Sequence, residues 1–163
     1  MPTPTYTLID SVTLTSSASS VTFSSITQDY RDLVLIQNAK VLASSDSYRL
    51  SINGDTGTNY NTVTMYGYTS ASSSSTTNEA GPIYMTARDS LSSTVADSTI
   101  IYFMDYSVTD KHKTLLARIN NVSNVIQASA HRWASTASIT SILLTSNDTF
   151  ASGSTFSLYG IEA

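Results

Sequence analysis

The sequence contains no cysteine and few charged residues. Charged side chains make up 12% of its 163 residues, about half of the usual share, and Lys and Arg together number 8. The absence of cysteine excludes disulfide bonds and thiolate metal sites. Because the basic residues are scattered and the net charge is -4, we expect no nucleic-acid partner.

Long hydrophobic runs are missing as well. No apolar stretch approaches the roughly 20 residues that a membrane-spanning helix needs. The first ten residues, MPTPTYTLID, also lack a basic segment followed by an apolar run. We therefore expect no membrane partner and no secretory signal, and a soluble protein that is made in the cytosol.

Serine and threonine take the place of the missing charge. They make up about a third of the chain, and tyrosine is common with 10 copies. A surface of this kind is polar but weakly charged, which favours hydrogen-bonded packing against other chains over electrostatic steering.

Short runs of alternating apolar and polar residues dominate the sequence. Such runs, rich in β-branched and aromatic residues, predict β-strands. We predict about eleven strands, by the spacing typical of sandwiches and barrels: Tyr6–Leu14, Ser20–Ser25, Asp32–Leu42, Ser47–Ile52, Thr62–Thr69, Pro82–Ala87, Thr99–Tyr106, Thr114–Asn120, Val125–Trp133, Ser138–Thr145 and Thr155–Ile161. The expected fold is one all-β domain over residues 1–163, a two-sheet antiparallel β-sandwich of jelly-roll-like type.

Turn-forming residues separate these runs. Ser44–Asp46 and Asn147–Asp148 predict turns, and the low-complexity segment Ser70–Asn78 predicts an exposed loop. The Asn53–Asn59 loop combines two glycines with Asn and Asp, which supply positive-φ positions. A short helical turn near Ser25–Tyr30 is possible.

Two segments stand out among the predicted strands. The first half of Asp32–Leu42 is apolar on both faces, as in a central strand that is buried on both sides. The final strand directs Phe156, Leu158 and Gly160 to one face, and we expect it to be an integral strand of the sandwich. No fixed-period repeat or heptad occurs, which argues for a globular module rather than a fibre shaft.

Two histidines are the obvious candidates for chemistry. His112 lies in a charged turn, where a solvated loop position is favoured. His131 lies on a strand and could serve as a triad base or a metal ligand, but it has no partner at ligand spacing, so a structural role is favoured.

Motifs of known enzymes are absent. No G-x-S-x-G elbow, P-loop, dinucleotide-binding motif or H-E-x-x-H sequence occurs. The 12 carboxylates are spread thinly, so nothing suggests the carboxylate pair of a glycosidase. We predict no enzymatic activity, no catalytic residues, no cofactor and no metal.

Three binding sites are possible from residue types alone. Asp55 in the Asn53–Asn59 loop could hold Ca²⁺, although a plain hairpin loop is favoured. Trp133 could form a sugar platform, although core or interface packing is the commoner role of a single Trp on a strand. Tyr66 and Tyr68 could contribute to a recognition surface or a subunit interface.

Four segments, taken in order, resemble a known family. The chain begins with Tyr6–Ile9, continues with F-x-x-I-x-x-x-Y-x-D-L from Phe23 to Leu33 and N-G-D-x-G-x-N-Y from Asn53 to Tyr60, and ends with L-Y-G-I from Leu158 to Ile161. This order resembles small structural proteins of tailed bacteriophages, which are jelly-roll-like sandwiches found as free-standing virion proteins or as tail-protein modules. We expect no shaft or attachment domain before the sandwich, in contrast to the tail modules.

The resemblance implies a virion structural protein that is made in the host cytoplasm. The leading hypothesis is a capsid decoration (cement) protein that binds the major capsid protein or other virion proteins from outside, as a homotrimer. The alternative is a tail-fibre or receptor-binding module for a host surface glycan, with Tyr66, Tyr68, Trp133 and Ser70–Asn78 as contacts. A depolymerase remains a remote third hypothesis.

Overall fold

The computed structural model describes residues 5–43, 48–67, 72–85, 92–120 and 125–162. These ranges contain twelve β-strands. The strands are β1 (Tyr6–Thr13), β2 (Ala18–Phe23), β3 (Asp32–Ala39), β4 (Tyr48–Ile52), β5 (Tyr60–Gly67), β6 (Ser72–Ala80), β7 (Ile83–Tyr84), β8 (Asp97–Met104), β9 (Lys113–Asn120), β10 (Ile126–Trp133), β11 (Ile142–Phe150) and β12 (Thr155–Ile161).

The strands form two sheets of unequal size. The larger sheet has eight strands in the order β1-β12-β3-β8-β9-β10-β5-β6, and the smaller has four in the order β2-β11-β4-β7. Every neighbouring pair is antiparallel. Within the described ranges there is no helix, so the prediction of an all-β, two-sheet antiparallel sandwich is confirmed.

Strict alternation produces the core between the sheets. In β9, Leu115, Ala117 and Ile119 are buried, whereas Leu116 and Arg118 between them are exposed. Successive side chains of a strand point to opposite faces, so one face of the large sheet packs on the small sheet. The core takes Leu, Ile, Phe and Tyr side chains from both sheets.

The predicted central and final strands occupy the places expected of them. β3 lies between β12 and β8, and even Val34 on its outer face is only 2% exposed. β12 lies between β1 and β3 and buries Phe156, Leu158 and Gly160 on the inner face. The final strand is thus an integral part of the sandwich.

β6 corrects one prediction. The segment Ser70–Asn78 was expected to be an exposed loop, but residues 72–80 form a strand that pairs antiparallel with β5, and residues 70–71 lie outside the described ranges. A run of Ser and Thr shows no apolar alternation, although its backbone can pair with a free sheet edge as well as any other. The neighbouring edge of β5 therefore decides the structure of this segment.

The predictions around β11 were wrong at both ends. The strand starts at Ile142 rather than Ser138, because the amides of Ile139 and Thr140 bond to loop atoms instead. Asn147–Asp148 was expected to be a turn but lies within β11, where an irregularity in the pairing with β2 absorbs it. The Asp148 carboxylate also accepts a bond of 2.6 Å from the Ala43 amide.

Several smaller predictions differ or lie outside the described residues. The strand expected over Pro82–Ala87 is reduced to β7, and residues 86–87 lie outside the described ranges, as do the turn at Ser44–Asp46 and Tyr68. Residues 25–30 contain no helical turn.

Candidate functional site

A row of apolar side chains crosses the outer face of the large sheet. The pairing registers place these residues side by side on seven successive strands from β5 to β1. In spatial order they are Val63, Ala130, Leu116, Tyr102, Val34, Tyr159 and Leu8. No part of the small sheet covers this face, because the small sheet packs on the opposite one.

A depression of about 510 Å³ lies on the same face, over strands β5, β8, β9 and β10. Its apolar lining is here called the outer apolar face, and it consists of Val63, Met65, Tyr102, Met104, Leu116, Ala128 and Ala130. Met65 is 62% exposed and Leu116 is 44% exposed. Arg118 and Asp32 supply charge in the lining of the depression.

Exposed apolar side chains that lie side by side are candidates for contact with a partner. Clustered apolar surface of this kind is found at protein interaction sites. Met and Tyr are also enriched at interfaces. The outer apolar face is therefore the principal candidate site for a protein partner.

A second site lies on the inner face, at the β6 end of the large sheet. There the inward side chains of β5, β6 and β10 are polar, and β7 of the small sheet lies opposite β5. A cleft of about 80 Å³ separates the two layers. This inner polar cleft is lined by Tyr60, Thr62, Thr64, Tyr66, Ser75, Thr77, Gly81, Pro82, Ile83, Tyr84 and Gln127.

His131 lies close to this cleft with both ring nitrogens engaged. Nδ1 is 2.9 Å from the Thr62 hydroxyl and Nε2 is 2.8 Å from the Ser129 hydroxyl. The ring is 2% exposed, and burial lowers its pKa from 6.5 to about 4. A neutral imidazole between two hydroxyls, which can each donate or accept, is a structural arrangement. His112, by contrast, is exposed in the loop before β9.

The Asn53–Asn59 loop uses its carboxylate for its own closure. The Asp55 carboxylate accepts hydrogen bonds from the Trp133 indole at 2.7 Å, the Asn59 amide at 2.9 Å and the Gly57 backbone N–H at 2.9 Å. The indole bond is the main reason that the pKa of Asp55 is lowered. These three hydrogen bonds tie the carboxylate to residues of the loop and to β10.

The same loop is not a hairpin, which corrects that prediction. It links β4 in the small sheet to β5 in the large one. Asn53 and Gly54 do adopt the expected positive φ angles, of 53° and 70°. The buried Tyr60 hydroxyl donates to the Asp55 carbonyl and accepts from the Ile52 amide, and burial raises its pKa to about 12.

The residues suggested as a sugar platform do not form one exposed surface. Trp133 is buried in the core and donates to Asp55, so the packing role favoured for it is confirmed. Tyr66 lies on the inner face of β5 and lines the inner polar cleft. Tyr68 lies outside the described residues.

Sequence reasoning missed the buried Lys113 and Gln127. The Lys113 ammonium donates to the carbonyls of Val108, Lys111 and Thr136, and burial lowers its pKa. Gln127 is buried on the inner face of β10. Both occupy the buried register of an alternating strand, a signal that the sequence carries but that strand prediction ignored.

The described residues contain neither a metal-binding cluster nor a membrane-spanning helix. Among the described residues, no group of three His, Asp or Glu side chains is placed to hold a metal ion. Nor do these ranges include a helix that is long and apolar enough to cross a membrane.

Comparisons with known proteins give only distant likenesses. No protein-family model and no curated protein matches the chain. The structure of the alginate lyase Aly36B is similar over 91% of this chain and 78% of its own, with 10% identity and a TM-score of 0.34. A mutant of that enzyme in complex with alginate trisaccharide covers 93% of this chain and 80% of its own, with 10% identity and a TM-score of 0.39.

A protein of unknown function from Shewanella oneidensis is similar over 97% of this chain and 76% of its own, with 8% identity and a TM-score of 0.22. All of these TM-scores lie below 0.5, so none of the likenesses carries an argument about what this chain does.

Proposed function

We propose that the protein is a non-enzymatic structural protein of a tailed-bacteriophage virion. In this proposal it is a capsid decoration protein that binds the major capsid protein from outside and stabilises the head. The outer apolar face is the observation that carries the proposal. The sequence resemblance is the reason for proposing a virion protein. The outer apolar face is the surface by which we propose that it attaches.

The size of the large sheet supports this role. Eight strands spaced at about 4.8 Å and about eight residues long at about 3.4 Å each span roughly 34 Å by 27 Å. That gives roughly 900 Å² on one face, which is close to the ~800 Å² that each partner contributes to a stable protein interface. A relatively flat partner surface could therefore be covered by this one face.

The chemistry of the face also suits a protein partner. Its centre is apolar, with Leu116, Met65 and Tyr102, while Arg118 and Asp32 offer two charges for orientation. An apolar centre with few charged groups is the usual composition of a protein interface.

The buried ionisable groups support a non-enzymatic role. His131, Lys113 and Asp55 each combine burial or a shifted pKa with several hydrogen bonds, as Tyr60 does. Each of them bonds to neighbouring residues of the fold, and those bonds hold strands and loops together.

The proposal includes a homotrimer. Three copies on a three-fold position of the head would convert three weak contacts into one strong attachment. Light scattering at micromolar concentration should give three times the mass of the 17.5 kDa chain. A stable monomer under those conditions would refute this part of the proposal.

Gold-labelled antibody on intact phage particles tests the location. In electron micrographs we expect a regular label over the head. A label confined to the tail tip would contradict decoration and favour the tail-fibre alternative, in which the protein recognises a host surface glycan.

Head stability tests the decoration role separately. Heads that lack the protein should break at a lower temperature or lower osmotic stress than heads that carry it. Equal stability of the two kinds of head would contradict a cementing role, even if the label lies on the head.

A further inference from the structure

Gln127, which lines the inner polar cleft, carries a hydrogen-bond acceptor that has no donor among the described residues. Gln127 is 2% exposed and lines the cleft, and its side-chain oxygen Oε1 has no hydrogen-bond partner among the described residues. A buried polar atom without a partner is costly, so such atoms usually meet a water molecule or a ligand. The cleft is the open space that the Gln127 side chain lines.

Hydroxyl groups and aromatic rings surround the same space. Thr64 and Ser75 face each other across the β5–β6 pair, and the inward-facing Tyr60 and Tyr66 of β5 are also in the lining. Hydroxyl groups can donate or accept, and ring faces pack against C–H groups. Together they match a molecule that carries both hydroxyls and C–H groups.

The lining contains no ionised group. None of the residues that line the inner polar cleft is charged. The nearby Arg49 guanidinium stacks on the Tyr84 ring, 4.6 Å from its centroid, and donates to the Tyr84 hydroxyl. Arg49 and Tyr84 alternate with the buried Leu50 and Ile83, so this pair points away from the core. A charged ligand would lose its hydration there without an opposite charge to replace it. The ligand that fits is therefore neutral.

The size of the cleft limits the ligand further. A volume of about 80 Å³ has room for several water molecules at roughly 10–15 Å³ each. We propose that the inner polar cleft binds a small neutral polyol, or the hydroxymethyl arm of a neutral sugar, with a ligand hydroxyl donating to Gln127 Oε1. This site is independent of the outer apolar face and of attachment to a virion.

Ligand-detected NMR on the whole protein tests the proposal. Glycerol is the probe for a free polyol, and methyl glycosides of glucose, galactose and mannose are the probes for a sugar arm. Glucuronate and glucosamine are the charged comparisons. We expect at least one neutral probe to bind and both charged sugars to bind at least ten-fold more weakly.

Gln127→Met is the decisive variant, because it keeps the length of the side chain and removes the acceptor. We expect binding to fall at least ten-fold while the melting temperature without ligand stays the same or rises, since the unpaired acceptor is gone. Thr64→Val should weaken binding through the loss of a hydroxyl and serves as the second variant if Gln127→Met fails to fold.

Gln37→Met is the matched control, because Gln37 is equally buried on the inner face of β3 but does not line the cleft. It should leave the binding of the neutral probes unchanged. The proposal is overturned if no neutral probe binds, which would mean that water alone fills the cleft. It is equally overturned if Gln127→Met and Thr64→Val bind as the wild type does.

Discussion

His131 is a buried residue whose charge depends on the fold. Burial lowers its pKa from 6.5 to about 4, so between these values the unfolded chain binds more protons than the folded one. Stability from this residue is thus fully present above pH 6.5 and is lost as the pH falls towards 4. Over the whole interval the loss amounts to about 3 kcal/mol.

We predict that His131→Gln removes this dependence. Between pH 7 and pH 5, where most carboxylates stay ionised, wild-type unfolding free energy should fall by about 2 kcal/mol, and the variant's should change far less. Chemical denaturation at the two pH values measures the difference. His112→Gln, the same change in an exposed loop, should keep the wild-type dependence, and an unchanged dependence in His131→Gln would refute the account.

Gly160 lies at a position that has no room for a side chain. A Cβ atom built at this position would lie 2.2 Å from the ring of Tyr30. We predict that Gly160→Ala destabilises the protein by about 1–3 kcal/mol, because the ring must move within a packed layer. Urea denaturation measures this change.

Gly67→Ala is the control for that substitution. The nearest atom to a Cβ at position 67 is the Ile126 carbonyl oxygen, 3.9 Å away, which is an ordinary contact. The control should change stability by less than about 1 kcal/mol. Equal effects of the two substitutions would show that the contact with Tyr30 is unimportant.

Single residues also mark the limit of sequence reasoning about the site. The packing role of Trp133 could be predicted because a single Trp on a strand usually packs in a core or an interface. The unpaired acceptor of Gln127 could not be predicted. Whether this side chain finds a hydrogen-bond donor depends on β5 and β6, which are distant from it in sequence. The outer apolar face was missed for a similar reason, since it forms only when seven strands align in register.

The formation of β6 depends on its backbone pairing with β5. It pairs with β5 alone, and its Ser and Thr side chains from residue 72 to 77 are exposed. Successive N–H groups of a strand point alternately towards each neighbour, so Ser74→Pro and Ser75→Pro remove donors that face opposite ways.

We predict that one of these two proline variants opens the β5–β6 pair and the other does not. Hydrogen exchange of the β5 amides should become faster in the first variant and stay at the wild-type rate in the second. If the β5 amides that face β6 exchange as fast in the wild type as in an open loop, then β6 does not form.

The other strands differ in how far the sequence could predict them. β8 to β10 were predictable because their side chains alternate strictly between core and outer face. β11 was misplaced because Asn147 and Asp148 are common turn residues, and only the irregular pairing with β2 accommodates them in a strand. Which strands become neighbours depends on pairing between distant segments, and local patterns do not contain that information.

On the scale of the whole molecule, the two sheets are unequal, with eight strands in one and four in the other. The large sheet presents the outer apolar face, and Met65 and Leu116 are its most exposed central side chains on β5 and β9. The paired substitution Met65→Lys with Leu116→Lys places two charges in the proposed interface. Because both side chains already reach solvent, the fold itself should tolerate the change.

The most direct test is sedimentation of the purified protein with phage heads that have been stripped of it. We predict that the wild type sediments with the heads, and that the paired variant binds at least ten-fold more weakly because buried charges at an interface centre cost about 2 kcal/mol or more. Val95→Lys, at an exposed apolar residue in the loop before β8, is the control and should bind like the wild type. Equal binding by the paired variant and the wild type, or no binding by either, would contradict attachment through the outer apolar face.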